Sequence, residues 1–269
     1  MTARILFLGL ALAAALALPA AAADSQLAAA VASSTRAAEN TVRDRYRHPQ
    51  ASLAFWGVKP GLTLIEIAPS NGYWTEILAP YSKAAGGHYI AAEGKPGQTL
   101  PAKFADKAIY GDIAYTAFSH TSGPLGQPGS ADLVLTARNI HDWMWTPGYA
   151  EKAMADFFAV LKPGGILAVE DHRADPRPQI GDAHDGYVAT ATIVAMAKKA
   201  GFVLEASSEI NANPKDTKDH PFGVWTLPPT RQSAPDGQPA NPAFDHARYD
   251  AIGESDRMTL RFVKPEPGA

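Results

Sequence analysis

A chain of 269 residues with no cysteine and a formal net charge of −3 has no disulfides, thiolate metal sites or cysteine nucleophile, so packing alone must hold it together. The slightly acidic balance argues against a broad nucleic-acid surface. The length suits one large α/β domain carrying a long excursion. Arg4, the apolar run over residues 5–18 and Ala21-Ala22-Ala23 before Asp24 read as a secretory signal peptide over residues 1–23. Its removal predicts a periplasmic or secreted protein, and no later run is long enough for a membrane anchor. Residues 24–60 read as a helical extension, because residues 25–46 are Ala-rich and lack Gly and Pro until His48-Pro49. Arg43, Arg45 and Arg47 alternate with Glu39 and Asp44 in the manner of a solvated face. Arg47 and His48 either reach a ligand or cap the helix end.

The core is expected over residues 61–210. Leu62, Leu64, Ile65 and Ile67 make a short apolar run suited to a parallel strand covered on both faces. Ala68, Pro69, Ser70, Asn71 and Gly72 follow as a turn, a helix begins at Tyr73, and residues 88–92 form the next strand, ending on Glu93. A small-residue turn at a helix start, with an acid at a strand end about 20 residues later, is a recipe for holding a nucleoside. The turn admits the ligand closely, and the Glu93 carboxylate can accept hydrogen bonds from ribose hydroxyls.

Glu66-Ile67-Ala68-Pro69-Ser70-Asn71-Gly72 resembles the first motif of class I S-adenosylmethionine-dependent methyltransferases, an acid followed by G-x-G-x-G. Gly72 is retained, while Ala68 and Ser70 stand in the other two glycine positions with Pro69 between them. Each substitution adds a Cβ where the cofactor would approach, and Pro69 removes an N–H donor. Arg47-His48-Pro49 and the stretches 55–61 and 75–80 are similar to an exported methyltransferase-like subgroup, the likeness covering about residues 40–210 and the final strand. The resemblance implies an α/β, Rossmann-like sheet of seven strands, mostly parallel with an antiparallel last strand and helices on both faces. It also implies S-adenosyl-L-methionine as cofactor, held by Glu66, the 68–72 turn, Glu93 and Asp112. Methyl transfer to a small or surface-exposed nucleophile would follow.

Beyond Glu93, residues 94–106 read as a connection and residues 108–110 as a short third strand. Asp112 then lies where the resemblance implies an adenine contact, though an acid after Gly111 is equally a turn former. Residues 132–137 form a buried strand that delivers Arg138, Asn139, His141, Asp142 and Trp143 to the ligand-binding edge of the sheet. Asn139 and His141 are therefore the catalytic candidates. His141 either deprotonates an acceptor or only orders its loop, and Trp143 and Trp145 either wall a pocket or anchor the loop. A helix is expected from Thr146-Pro147, with Ala153, Phe157, Val160 and Leu161 facing the sheet.

Leu161-Lys162-Pro163-Gly164-Gly165 reads as the turn into a strand over 166–169, a phrase that again resembles these methyltransferases. Glu170, Asp171 and His172 close that strand, and a helix is expected from His184-Asp185-Gly186-Tyr187 to about Lys199. His141, Asp171, His172 and His184 offer a nitrogen and oxygen donor set for metal-assisted hydrolysis, but none has metal-helix spacing, and no metal ligand is assigned. Residues 202–207 read as the sixth strand, 211–257 as a Pro-rich insertion or lid, and 258–269 as the final strand and tail. A second functional class stays open: a methyltransferase-fold protein that has lost the cofactor and binds another ligand or partner. No G-x-S-x-G turn or phosphate-binding P-loop is present.

Overall fold

The computed structural model describes residues 25–176, 178–179 and 183–268, so the expected signal peptide lies outside the described residues. Seven strands, β1 (Thr63–Ile67), β2 (His88–Glu93), β3 (Ala114–Ala117), β4 (Ala131–Ala137), β5 (Leu161–His172), β6 (Val203–Ser208) and β7 (Arg257–Val263), make one sheet. Their order is β3-β2-β1-β4-β5-β7-β6. The apolar runs of β1 and β4 sit at the centre because only there are both faces covered. Ile65 lies opposite Ile90 on one side and Val134 on the other, all in parallel register. β7 enters antiparallel between β5 and β6, as the sequence predicts. Strand order reverses between β1 and β4, which places a crevice beyond their carboxyl ends.

Three long helices cover the sheet: α1 (Thr75–Ala84), α2 (Tyr149–Val160) and α3 (Thr190–Lys199). Ile77 and Leu78 of α1 pack with Trp56 and Leu133 on one face, while Phe157 of α2 and Ile193 of α3 pack with Val134 and Leu167 on the other. Each such fully buried side chain contributes about 1.5–3 kcal/mol of transfer free energy. Trp143 joins this second core against Phe118 and Phe157, so it anchors its loop. Trp145 remains 46% exposed. Among the described residues, no helix is long and apolar enough to cross a membrane.

Several expectations need correction. The extension is not one helix: residues 25–31 are helical, then short helices follow at Ala38–Thr41, Asp44–Arg47 and Pro49–Phe55. Ser33 and Thr35 hydrogen-bond each other and the local backbone, and Arg36 ties Val31 O to the Asp44 carboxylate. These contacts compete with helical hydrogen bonds and fold the segment back. Residues 108–110 are not the third strand. They belong to a helical turn, Lys107–Tyr110, started by Asp106, whose side chain accepts from Ala108 N, and ended by Gly111 at φ 71°.

The 161–165 phrase lies within β5 as an irregularity, since Ala131 pairs with Leu161 and Leu133 already pairs with Ile166. Gly165 is required there, because a Cβ would meet Lys162 O. The helix expected from His184 starts only at Thr190. Before it residues 184–186 form a turn closed by Gly186 N on Ala183 O, after which Val188 bridges Arg173 and Tyr187 donates to Asp216. The Pro-rich segment is partly docked: residues around 223–227 and 253–256 are largely buried, while 235–251 are mostly exposed. It contributes a short strand, Pro221–Val224, outside the main sheet and a short helix, Ala247–Ile252.

Candidate functional site

The carboxyl ends of β1, β4 and β5 surround a polar cavity of about 170 Å³. Glu66, Ala68, Pro69 and Ser70 line one wall; Arg138, Asn139, His141, Asp142 and His172 line another. The Pro-rich segment closes the cavity with Trp225, Pro228, Pro229, Glu254 and Ser255.

Three non-glycine residues on this cavity hold left-handed backbone: Ala68 (φ 48°), Ser70 (φ 53°) and Arg138 (φ 61°). The first two keep the turn that glycines would make without strain, at a cost of about 1–2 kcal/mol per L-residue. Gly72, at φ 81°, completes it. Part of that strain is recoverable, since glycine removes it but loses about 0.5–1 kcal/mol of chain entropy. Ser70→Gly, at an exposed position, is therefore expected to stabilise the fold by up to about 1 kcal/mol. Urea unfolding with an unchanged denaturant slope measures it, and a destabilised variant would refute the strain.

β4 projects Asn139 and His141 onto the cavity, as the sequence predicts. Asn139 Nδ2 donates to Ile67 O at 3.1 Å and to Thr136 Oγ1 at 3.2 Å, so its amide group pins the end of β4 to β1. His141 Nδ1 lies 2.8 Å from Asp171 Oδ1. That carboxylate also accepts from Ile140 N and His172 N, each at 2.8 Å. Asp171 thereby orients the imidazole and leaves Nε2 for the cavity, 3.3 Å from Asp142 Oδ1. Burial alone would lower the His141 pKa, but the charge and hydrogen bond of Asp171 outweigh it, and the net shift is upward. His172 goes the other way, well down, first through burial and then through the positive charges of His141, Arg138, Arg257 and Arg47.

Glu66 accepts from Tyr89 Oη at 2.5 Å and Thr75 Oγ1 at 3.0 Å. Burial pushes its carboxyl up to about 7 against those two hydrogen bonds, so both protonation states are populated near neutrality.

Four other assigned residues fare differently. Asn71 is exposed, and neither it nor Gly72 lines the cavity. Glu93 is at the end of β2 and 1% exposed, yet its carboxylate is already engaged. Oε2 accepts from Gly97 N at 2.6 Å and Oε1 from Leu100 N at 2.8 Å. Phe104 lies so close over Gly72 that any side chain there would collide with its ring. Residues 97–104 thus occupy the space between turn and acid that the sequence assigns to a ribose. Asp112 precedes β3 instead of following it, is exposed and pairs with Lys107 at 2.6 Å, which removes it from the ligand edge.

The donor set proposed for a metal is brought together in part. Ligand atoms of His141, Asp171 and His172 lie within 4.8 Å of one another, whereas His184 lines a separate outer recess of about 780 Å³ with Trp145 and Trp225. Both oxygens of Asp171 are spent on three hydrogen bonds, and Arg138 stands on the same cavity. Those bonds take three of the carboxylate's roughly four acceptor sites, and the neighbouring guanidinium opposes a cation.

Sequence reasoning missed Glu254, Ser255 and Trp225, which arrive from the Pro-rich segment. The signal for Glu254 and Ser255 is Glu254-Ser255-Asp256-Arg257, a charged run directly before an apolar strand, and Trp225 shows only as an aromatic anchor of the segment.

No known family profile matches the chain, and no curated protein matches it in sequence. In three dimensions it is similar to an S-adenosylmethionine-dependent methyltransferase from Aquifex aeolicus (16% identity, TM-score 0.51, covering 63% of this chain and 87% of that one). It is also similar to a Burkholderia thailandensis 1,6-didemethyltoxoflavin-N1-methyltransferase solved with S-adenosylhomocysteine (12%, TM-score 0.51, covering 96% and 94%). A third similar structure is the cyclase SpnF (12%, TM-score 0.52, covering 81% and 80%). At these identities the likeness establishes the fold, which is that of class I methyltransferases, and leaves function to the site.

Proposed function

We propose that this chain is an exported S-adenosylmethionine-dependent methyltransferase acting on a small acceptor. The observation that carries this reading is the His141–Asp171 pair on a cavity walled by the left-handed Ala68–Ser70 turn. Bound there, the cofactor supplies a methyl group on a positively charged sulfonium. The 68–70 turn would hold its amino-acid end, because its left-handed backbone keeps the glycine-type turn even though Ala68 and Ser70 each add a Cβ. Positioning does much of the work in such a displacement. His141 Nε2, with Nδ1 fixed by Asp171, accepts the proton of the acceptor's nucleophile. Asn139 keeps β1 and β4 in register around it. A structure of this fold in complex with S-adenosylhomocysteine supports the cofactor class.

A second reading rests on the engaged Glu93 carboxylate and the Phe104 contact with Gly72: a methyltransferase fold that binds another ligand without methyl transfer. The cyclase among the similar structures carries the same fold under a different reaction name. Calorimetric titration of the purified protein with S-adenosylmethionine and its demethylated product separates the two. Micromolar binding, weakened about tenfold in Glu93→Ala, supports the methyltransferase. No heat at millimolar ligand refutes it in favour of the second reading.

A further inference from the structure

Arg138 lines the cavity with a guanidinium that feels the charges of Glu254 and Glu170 but bonds neither. Among the described residues, its guanidinium makes no hydrogen bond or ion pair, and Nε is buried without an acceptor. It is held there in left-handed backbone at φ 61°. A strained backbone and an unpaired charge are both expensive, and they persist together where a bound group compensates them.

The surroundings deepen the imbalance. Glu254, a carboxylate on the cavity wall that acts on Arg138 electrostatically, is already shared by Arg43 at 2.6 Å, Arg47 at 2.8 Å and Arg257 at 3.1 Å. Arg47 is fully buried, yet Nη1 and Nη2 have no partner. Burial first, and then the charge of Arg138, draw the Arg47 guanidinium down to about 9. Two guanidiniums thus repel each other while both hold unused N–H groups. His172 adds a donor: its Nδ1 is 2.5 Å from Ser255 Oγ, which leaves Nε2 unengaged. When Ser255 donates to Nδ1, the neutral ring carries its proton on Nε2.

From this geometry we infer that the cavity is a receptor for a small oxyanion, a carboxylate or phosphate group, bound by the Arg138 guanidinium beside His172. Guanidinium forks match both groups bidentately. The anion would sit within reach of His141, so a ligand recognised through it presents its reacting end to the His141–Asp171 pair. The inference stands on Arg138 and holds whether or not methyl transfer occurs. Two sources share the chemistry: the carboxylate of an amino-acid-type cofactor, or an acidic group on the acceptor.

The test is thermal unfolding and calorimetry of the purified full chain with inorganic phosphate, acetate and zinc chloride, in wild type, Arg138→Gln and Arg138→Lys. Expected are a midpoint that rises with millimolar phosphate or acetate and an affinity at least tenfold weaker in Arg138→Gln, partly restored in Arg138→Lys. Arg138→Gln should be no less stable than wild type without ligand, since it removes an unpaired charge. That result separates anion recognition from a structural role. Competition between phosphate and S-adenosylmethionine assigns the anion to the cofactor, and simultaneous binding assigns it to the acceptor. No response to either anion at about 100 mM, equal binding by Arg138→Gln, or zinc binding through His141 and His172 would overturn the inference.

Discussion

Replacing Glu254 by Gln is expected to destabilise the fold by about 3–5 kcal/mol at neutral pH, because it removes the carboxylate that three buried or half-buried arginines share. Arg43 Nε and Arg47 Nε each bond one of its oxygens, at 2.6 and 2.8 Å, and Arg257 Nη2 lies 3.1 Å away. Burial would raise the Glu254 pKa, but Arg47, Arg257 and Arg43 together hold it well below the usual carboxylate range. A depressed folded-state pKa gives stability that is present above the ordinary carboxylate value and is lost as pH falls through the folded one. The gap between wild type and Glu254→Gln should therefore be widest above pH ~5 and shrink in stronger acid. Urea unfolding at several pH values measures it. A gap below about 1 kcal/mol at pH 7, the size of a surface pair, would show that the cluster does not join the N-terminal extension to the final strand.

That cluster marks where sequence reading runs out. Arg47 and Glu254 are separated by 207 positions, and neither lies in a periodic pattern, so only the folded chain reveals their pairing. By contrast β1 and β4 were legible because fully buried parallel strands are nearly continuous apolar runs. Asn139 and His141 could be placed because they follow such a run directly. The third strand failed for the same reason in reverse. Ala114–Ala117 is short and largely exposed at the sheet edge, so it carries no apolar signature. The neighbouring Ala108-Ile109-Tyr110 is apolar but packs as a helical turn, with Tyr110 against Phe104. The informative residues there were Asp106 and Gly111, a cap and a stop, which outweigh a three-residue hydrophobic match. Glu93 was located at its strand end, but nothing in its position discloses that the Gly97 and Leu100 amides already donate to it.

That last contact yields a result of unusual sign. If S-adenosylmethionine binds with its ribose on Glu93, hydrogen exchange in the peptide covering Gly97 and Leu100 should become faster on saturation, while the 68–72 turn becomes slower. Ligands usually protect the backbone around them; here the ribose hydroxyls must replace two amide donors on one carboxylate. A hydrogen bond to a charged group is worth about 1.5–3 kcal/mol, so releasing either amide should raise its exchange rate by roughly tenfold or more. Phe104, 2% exposed beside Gly72, has to leave as well. The free protein's affinity is reduced by the small fraction of molecules in which this has already happened. Binding that leaves protection at Gly97 and Leu100 unchanged would show that the nucleoside does not use Glu93. The cofactor would then be held by the 68–70 turn and the Arg138 side of the cavity, with residues 97–104 kept as a permanent part of the core.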